Sequence, residues 1–136
     1  AALGDFSEVP QFAHVKVVGL VNFAAIFPVC RAIVHHGGAG TTAASLRAGV
    51  PTLILSMDLN QALWGAQIKR LKVGTNRHFS ATTEKSLFDD LSRILTADYA
   101  AEARAVASRI TKPDESVVAA ADRIEDFVCL RRVGAP

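Results

Sequence analysis

The chain has 136 residues, of which 50% are hydrophobic and 21% are charged, with a formal net charge of +2 at pH 7. This length and apolar content suffice for one globular domain with a buried core, which excludes an intrinsically disordered chain. The small net charge disfavours nucleic acid as a partner, and the lack of a membrane-length apolar run or a basic leader predicts a cytoplasmic protein.

Apolar runs broken by glycine or proline predict alternating strands and helices in the first half of the chain. In order, they are a strand at residues 16–20, a helical turn at 24–27, a strand at 32–35, a helix at 41–48, a strand at 52–55, a helix at 63–71 and an extended piece at 75–79. The rest is predicted to be helical, at 87–95, 97–110 and 113–128. The predicted fold is therefore α/β, with a Rossmann-like parallel sheet, flanking helices and a helical C-terminal third.

A glycine-rich segment joins the strand at 32–35 to the helix at 41–48. At such a junction the first helical N–H groups lack internal partners, the positive end of the helix dipole faces outward, and glycine lets phosphates approach the backbone. The predicted diphosphate-binding residues are His36, Gly37, Gly38, Ala39, Gly40, Thr41 and Thr42. The spacing fits neither a dinucleotide fingerprint nor a P-loop, and the residues alone are equally consistent with a tight turn that binds nothing.

A second loop, at residues 56–61, follows the next strand. Ligands of open parallel sheets bind beyond the carboxyl ends of the strands, so both loops are expected at one edge of the sheet. This convergence favours a ligand-binding site there. Asp58 is the one carboxylate of the second loop, and no partner is evident that would make it a general base, so hydrolase chemistry has little support.

Single side chains outside the loops give weaker predictions. Adjacent residues of a strand point to opposite faces, so His35 and His36 are not expected to share a metal ion. We expect His36 to face the phosphates and His35 to bond within the fold. Trp64 is predicted to lie in the core, with a position on the wall of a cleft as the alternative. The two cysteines, Cys30 and Cys129, are predicted to be buried thiols rather than a disulfide.

Residues 34–51, which begin Val-His-His-Gly-Gly-Ala-Gly-Thr-Thr, resemble the donor-binding motif of the UDP-glycosyltransferase family. The resemblance is to the bacterial branch that glycosylates antibiotics, sterols and cell-envelope glycolipids, and especially to actinobacterial members. Val21 and Asn22, followed by residues 24–27, resemble the loop near the nucleotide base, and Gln61 with Trp64 falls where the family has sugar-binding and packing residues.

The resemblance implies an inverting glycosyltransferase of the GT-B type, in which two Rossmann-like halves face a cleft. Residues 1–136 would form a single donor-binding domain fragment of the C-terminal half, and the acceptor pocket and catalytic base would belong to an N-terminal domain absent from this chain. The donor would be a UDP-sugar or dTDP-sugar, with no cofactor and no metal. The acceptor would be a lipid, sterol or natural-product hydroxyl, with peripheral membrane association if it is a lipid. Alone, the fragment is expected to bind donor without turnover.

The resemblance also implies roles for five further residues, and three positions depart from the family. Asn60 and Gln61 would bind the sugar, and the nucleoside would be bound by Val21, Asn22 and Phe23. Asn60 replaces a usual aspartate, Phe23 replaces a frequent histidine, and Ala44 stands where plant members have a ribose-binding glutamate. These departures keep a non-catalytic nucleotide-binding module open as an alternative. An oxidoreductase is disfavoured because no free acidic residue follows the glycines by about 20 positions.

Overall fold

The computed structural model describes residues 12–133, with side chains for residues 12–128. Its helices and strands are α1 (Phe23–Ile26), β1 (Ile33–His35), α2 (Ala39–Ala48), β2 (Thr52–Ser56), α3 (Leu59–Arg70), β3 (Gly74–His78), α4 (Glu84–Ile94), α5 (Ala97–Ala107) and α6 (Pro113–Val133). Short 3-10 turns occupy Phe27–Val29 and Phe79–Ala81.

The three described strands form one parallel sheet in the order β1-β2-β3. Ile33 lies opposite Thr52, and Thr52 lies opposite Gly74. The crossover helices α2 and α3 connect consecutive strands, as parallel pairing requires. The predicted α/β class with a Rossmann-like parallel sheet and a helical C-terminal third is confirmed.

The core surrounds β2, whose Leu53 and Ile54 are completely buried. On one face Ile54 packs with Ile68 of α3, Val73 before β3, and residues of α5. A second cluster, formed by Phe27, Ile33 and Val50, packs against Ala44 and Ala48 in the second half of α2. A central strand of a parallel sheet is buried on both faces, which explains why Thr52–Leu55 is a continuous run rather than an alternating one.

The prediction of a strand at residues 16–20 is wrong. These residues have no regular secondary structure, and within the described residues they pair with no strand. Val17 and Val18 are 42% and 51% exposed. A strand is stabilised by ladder hydrogen bonds and cross-strand contacts, so an apolar run without a neighbouring strand does not become one.

The prediction that Trp64 lies in the core is also wrong, since its side chain is 42% exposed. Helix α3 turns Gly65 and Ile68 toward the sheet and buries both. Successive helix positions are rotated by about 100°, so Trp64 lies beside the buried face rather than on it.

Of the two cysteines, Cys30 is a free thiol that is only half-buried, and its Sγ donates to the Ile26 carbonyl oxygen at 3.3 Å. The Cys129 side chain lies outside the described residues. Among the helices that the structure describes, none combines the length and apolar character needed to cross a membrane.

Candidate functional site

The turn from β1 into α2 depends on Gly37. Its φ is +97°, a left-handed conformation that side chains disfavour. A Cβ at this position would lie 2.8 Å from Cγ2 of Ile54 and 3.2 Å from Cβ of Gln61. The lack of a side chain therefore lets the first loop rest against the start of α3, and the two loops predicted to share a sheet edge are brought into contact.

Helix α2 begins at Ala39, two residues earlier than predicted, with Gly38 as its N-cap. Gly38 has no side chain to cap the helix, and the first backbone bond runs from the Thr42 N–H to the Gly38 carbonyl oxygen at 2.9 Å. The N–H groups of Ala39, Gly40 and Thr41 consequently have no acceptor within the helix. They lie at the positive end of the dipole, where an anion is stabilised.

The two threonines of the motif have different roles. The Thr42 hydroxyl donates to the Gly38 carbonyl oxygen at 2.9 Å, and this residue is 1% exposed. It therefore stabilises the first turn of α2 from inside the fold. Thr41 is half-buried and is therefore the more accessible residue of the pair.

His35 bonds within the fold, as predicted. Its Nδ1 accepts the Gly37 N–H at 3.0 Å, so a neutral ring carries its proton on Nε2. In the part of the chain that the structure describes, that buried Nε2 has no partner. Burial, with a smaller contribution from His36, lowers the pKa of His35 from 6.5 to about 4, so the ring is neutral at pH 7.

His36 lies at the surface beside the N-terminus of α2. Its ring is nearly perpendicular to that of His35, with the centroids 6.4 Å apart. Its Nε2 is 2.7 Å from the position that a Cβ of Gly38 would occupy. The imidazole is therefore close to the N-cap residue and accessible from solvent.

The second loop forms a closed set of hydrogen bonds around Asp58, the N-cap of α3. Asp58 Oδ1 accepts the Gln61 N–H at 2.9 Å, and Oδ2 accepts from Gln61 Nε2 at 2.7 Å. Gln61 Oε1 in turn accepts the Met57 N–H at 2.7 Å. The Asn60 side chain is exposed and makes no hydrogen bond within the described residues. The two predicted sugar-binding side chains thus differ, one fixed and one free.

The predicted nucleoside segment lies at the start of α1. Asn22 caps this helix, its Oδ1 accepting the Ala24 N–H at 3.0 Å, and neighbouring Val21 is 38% exposed. Phe23 stacks on Phe27 with the centroids 4.5 Å apart, and its other face is open, since the residue is 41% exposed.

Phe23 lines a cavity of about 300 Å³ between α1, α2 and the start of α6. Ala44, Arg47 and Pro113 also line it. Sequence reasoning missed Arg47, although its position three residues after Ala44 on one helix placed both on the same face. The Arg47 side chain is held by a bond from its Nε to the Thr111 carbonyl oxygen at 3.3 Å.

Cavity size does not identify the site. A larger cavity, of about 550 Å³, lies at the amino ends of β1 and β2, bordered by Arg31, Pro51 and Arg104. It is at the edge of the sheet opposite the two loops. Within the described residues, no cluster of three or more His, Cys, Asp or Glu side chains is arranged to hold a metal ion.

Comparison with known proteins shows the family to which this chain is related. Residues 1–124 match the C-terminal domain family described as erythromycin biosynthesis protein CIII-like. An uncharacterised glycosyltransferase of Mycobacterium leprae is 66% identical over 122 residues, which are 90% of this chain and 29% of the relative. This chain therefore spans less than a third of the length of that protein.

Two solved structures are similar in fold. The glycosyltransferase VinC, in complex with dTDP, is 29% identical and superposes with a TM-score of 0.65 over 74% of this chain and 26% of its own. The spinosyn forosaminyltransferase SpnP superposes with a TM-score of 0.74 at 24% identity, over 93% of this chain and 34% of its own. The chain belongs to the erythromycin CIII-like C-terminal domain family, in the antibiotic-type branch of the GT-B glycosyltransferases.

Proposed function

We propose that this chain is the donor-binding part of an inverting glycosyltransferase that transfers a hexose from a UDP-sugar or dTDP-sugar to a lipid, sterol or natural-product hydroxyl. The observation that carries the proposal is the contact at Gly37, which joins the free N-terminus of α2 to Gln61 at the carboxyl edge of the sheet. An anion site and a polar side chain suited to hydroxyls then lie side by side. That the structural neighbour VinC is in complex with dTDP supports the same reading.

The diphosphate would bind at the N-terminus of α2. During transfer the bond between the anomeric carbon and the β-phosphate oxygen breaks, and its electron pair remains on that oxygen. The N–H groups of Ala39, Gly40 and Thr41, with the exposed His36 ring beside them, would stabilise this charge. Preorganised donors of this kind stabilise a leaving group without reorganising at the moment of reaction.

The nucleoside would extend from the diphosphate toward α1. The open face of Phe23 offers a stacking surface for a base, and the cavity that it shares with Ala44 has room for ring atoms. Asn22 uses its Oδ1 to cap α1, which leaves its Nδ2 to donate to a carbonyl of the base. Val21 lies beside them. The sugar would contact Asn60 and Gln61 on the other side of the diphosphate.

The acceptor chemistry would come from elsewhere in a longer protein. Inversion requires the acceptor oxygen to attack opposite the leaving diphosphate while a base takes its proton. Asp58 is the carboxylate of the second loop, and both of its oxygens already accept hydrogen bonds from Gln61. We therefore assign the acceptor pocket and the base to an N-terminal domain.

Calorimetric titration of the chain with UDP, dTDP, GDP and NADH tests donor binding. We expect one nucleoside diphosphate to bind and His36→Ala to weaken that binding, because the ring beside the helix N-terminus is removed. His14→Ala is the matched control, since His14 contacts Phe12 near the beginning of the described residues. Preferential binding of NADH, or no binding by the folded chain, would contradict the proposal.

A non-catalytic nucleotide-binding module remains the second candidate. It is favoured by Asn60, whose side chain is exposed, uncharged and without a hydrogen bond in the described part of the chain. Sugar transfer after reconstitution with the N-terminal half of a close relative would reject this candidate. Nucleotide binding without any transfer would favour it.

A further inference from the structure

We infer that Asp58 is a positioning residue, which holds the Gln61 amide in one orientation for the sugar of the donor. The inference rests on the proposed function. It starts from an asymmetry between the two carboxylate oxygens. Oδ1 accepts the backbone N–H of Gln61 and caps α3, whereas Oδ2 accepts from the Gln61 side chain at 2.7 Å. Capping needs only the first of these bonds.

The partners of the Gln61 amide define which atom is oxygen and which is nitrogen. The Met57 N–H can only donate, so the atom 2.7 Å from it is Oε1. An ionised carboxylate can only accept, so the atom facing Asp58 Oδ2 is Nε2. Both ends of the amide are consistent with one orientation and with no other.

Each end of the Gln61 amide has one hydrogen-bonding position that the loop does not use. A carboxamide has two N–H donors and an oxygen with two lone pairs, and the loop uses one of each. The remaining donor and lone pair match a sugar hydroxyl, which both accepts and donates. The Cβ and backbone oxygen of Gln61 lie against Gly37, so the residue that carries this pair of groups adjoins the proposed diphosphate site.

Holding the amide in place matters because immobilising a free side chain on binding opposes affinity. Gln61 is ordered before the sugar arrives, whereas exposed Asn60 would have to be ordered by it. Asp58 would therefore act on the sugar through Gln61, without touching it, and would have no effect on how the nucleoside diphosphate binds.

The test separates capping from positioning with Asp58→Ser. Serine is as good an N-cap as aspartate and keeps an acceptor for the Gln61 N–H, but it has no second oxygen for Nε2. Gln61→Ala and the double variant complete a cycle. Each protein is titrated with UDP and UDP-glucose, and with dTDP and dTDP-glucose, and its thermal melting is recorded.

We expect the wild-type chain to bind the sugar nucleotide more tightly than the free nucleoside diphosphate. Asp58→Ser should weaken sugar-nucleotide binding about fivefold, the effect of releasing one side chain, and change nucleoside-diphosphate binding by less than about twofold. Gln61→Ala should weaken sugar-nucleotide binding at least as much. The double variant should bind the sugar nucleotide no more weakly than Gln61→Ala does, because Asp58 then has no amide to position.

Other outcomes would overturn the inference. Equal weakening of both ligands with a lower melting temperature would show that Asp58 only supports the loop. A further loss in the double variant would show that Asp58 contacts the sugar itself. A wild-type chain that binds the diphosphate without preferring the sugar nucleotide would reject the role of Asp58 alone, whereas a chain that binds neither would reject the proposed function with it.

Discussion

A side chain at Gly37 would place its Cβ 3.2 Å from both the Cβ and the backbone oxygen of Gln61. The two loops of the site are therefore in contact at a position where one carbon atom would push them apart. The first loop carries the proposed anion-binding end of α2, and the second carries the amide proposed to bind the sugar. Gly37 therefore sets the distance between the two proposed subsites.

Gly37→Ala should destabilise the chain and weaken donor binding together. The residue has a φ of +97°, and its new Cβ would lie 2.8 Å from Ile54 Cγ2. Strain and overlap of this kind reduce the free energy of unfolding by about 1–3 kcal/mol, measurable by urea denaturation. Gly40→Ala is the control for stability, since a Cβ there meets nothing within 4 Å. Equal stabilities of the two variants would contradict the assigned role of Gly37.

Substitution of one threonine of α2 should affect stability, and substitution of the other should affect nucleotide binding. Thr42→Val removes the hydroxyl that donates to the Gly38 carbonyl oxygen and should lower the free energy of unfolding by about 1 kcal/mol without changing nucleotide affinity. Thr41→Val should do the reverse, leaving stability unchanged and weakening binding about threefold. Denaturation and calorimetry on both variants check this pair, and a loss of affinity in Thr42→Val alone would show that its hydroxyl turns toward the ligand.

His35 should make the chain less stable in mild acid. Its pKa is about 4 in the fold and 6.5 in a model peptide, so between these values the unfolded chain binds more protons. The contribution of His35 to the free energy of unfolding is fully present above pH 6.5 and decreases as the pH falls toward 4. Because the ring is only half-buried and partly screened, we expect a loss of about 1–2 kcal/mol.

Urea denaturation at pH 7.5, 5.5 and 4.5 measures this dependence, with His35→Gln as the comparison. The variant should be less stable at pH 7.5 and should lose the part of the pH dependence that lies between 4 and 6.5. Identical pH profiles for the two proteins would show that other groups are responsible.

The ion pair between β3 and α4 should respond asymmetrically to the removal of its partners. Arg77 Nε lies 2.7 Å from Asp90 Oδ2, and the two side chains are 33% and 3% exposed. Arg77→Ala leaves a buried carboxylate without a cation, whereas Asp90→Ala leaves a guanidinium that can reach water. We expect Asp90→Ala to reduce the free energy of unfolding by about 2 kcal/mol and Arg77→Ala to reduce it further.

The same denaturation experiment on Lys85→Ala provides the control, because the pair of Lys85 with Asp89 is exposed on both sides. Pairs of this kind contribute little to stability. A loss in Lys85→Ala as large as that in Asp90→Ala would indicate that burial is not the deciding factor.

Features set by local sequence were predictable. The apolar run from Thr52 becomes β2 because it is buried on both faces once helices cover the sheet, and the run before His35 becomes β1 because it pairs with β2 and buries Ile33. Since the chain direction fixes which end of a parallel strand carries its loop, the meeting of the two loops at one edge followed as well.

Features that depend on contacts between distant residues were not predictable. Residues 16–20 are apolar, but a strand requires a neighbour that the sequence does not reveal. Helix α2 begins two residues earlier than predicted, and Thr42 is turned inward, where its hydroxyl donates to the Gly38 carbonyl oxygen. The bond from Gln61 Nε2 to Asp58 depends on a rotamer that no spacing rule specifies.

Within the described sheet, β2 has a neighbour on each side, whereas β1 is bonded to β2 alone and over three residues. Amide protons of β2 should therefore exchange with solvent only when the whole sheet opens, and those of β1 through smaller openings. Since β1 leads directly into the loop at Gly37, a ligand bound at the N-terminus of α2 would slow exchange in β1 more than in β2. The amide proton of Ile33, which donates to the Pro51 carbonyl oxygen at 3.0 Å, would therefore report occupancy of the site.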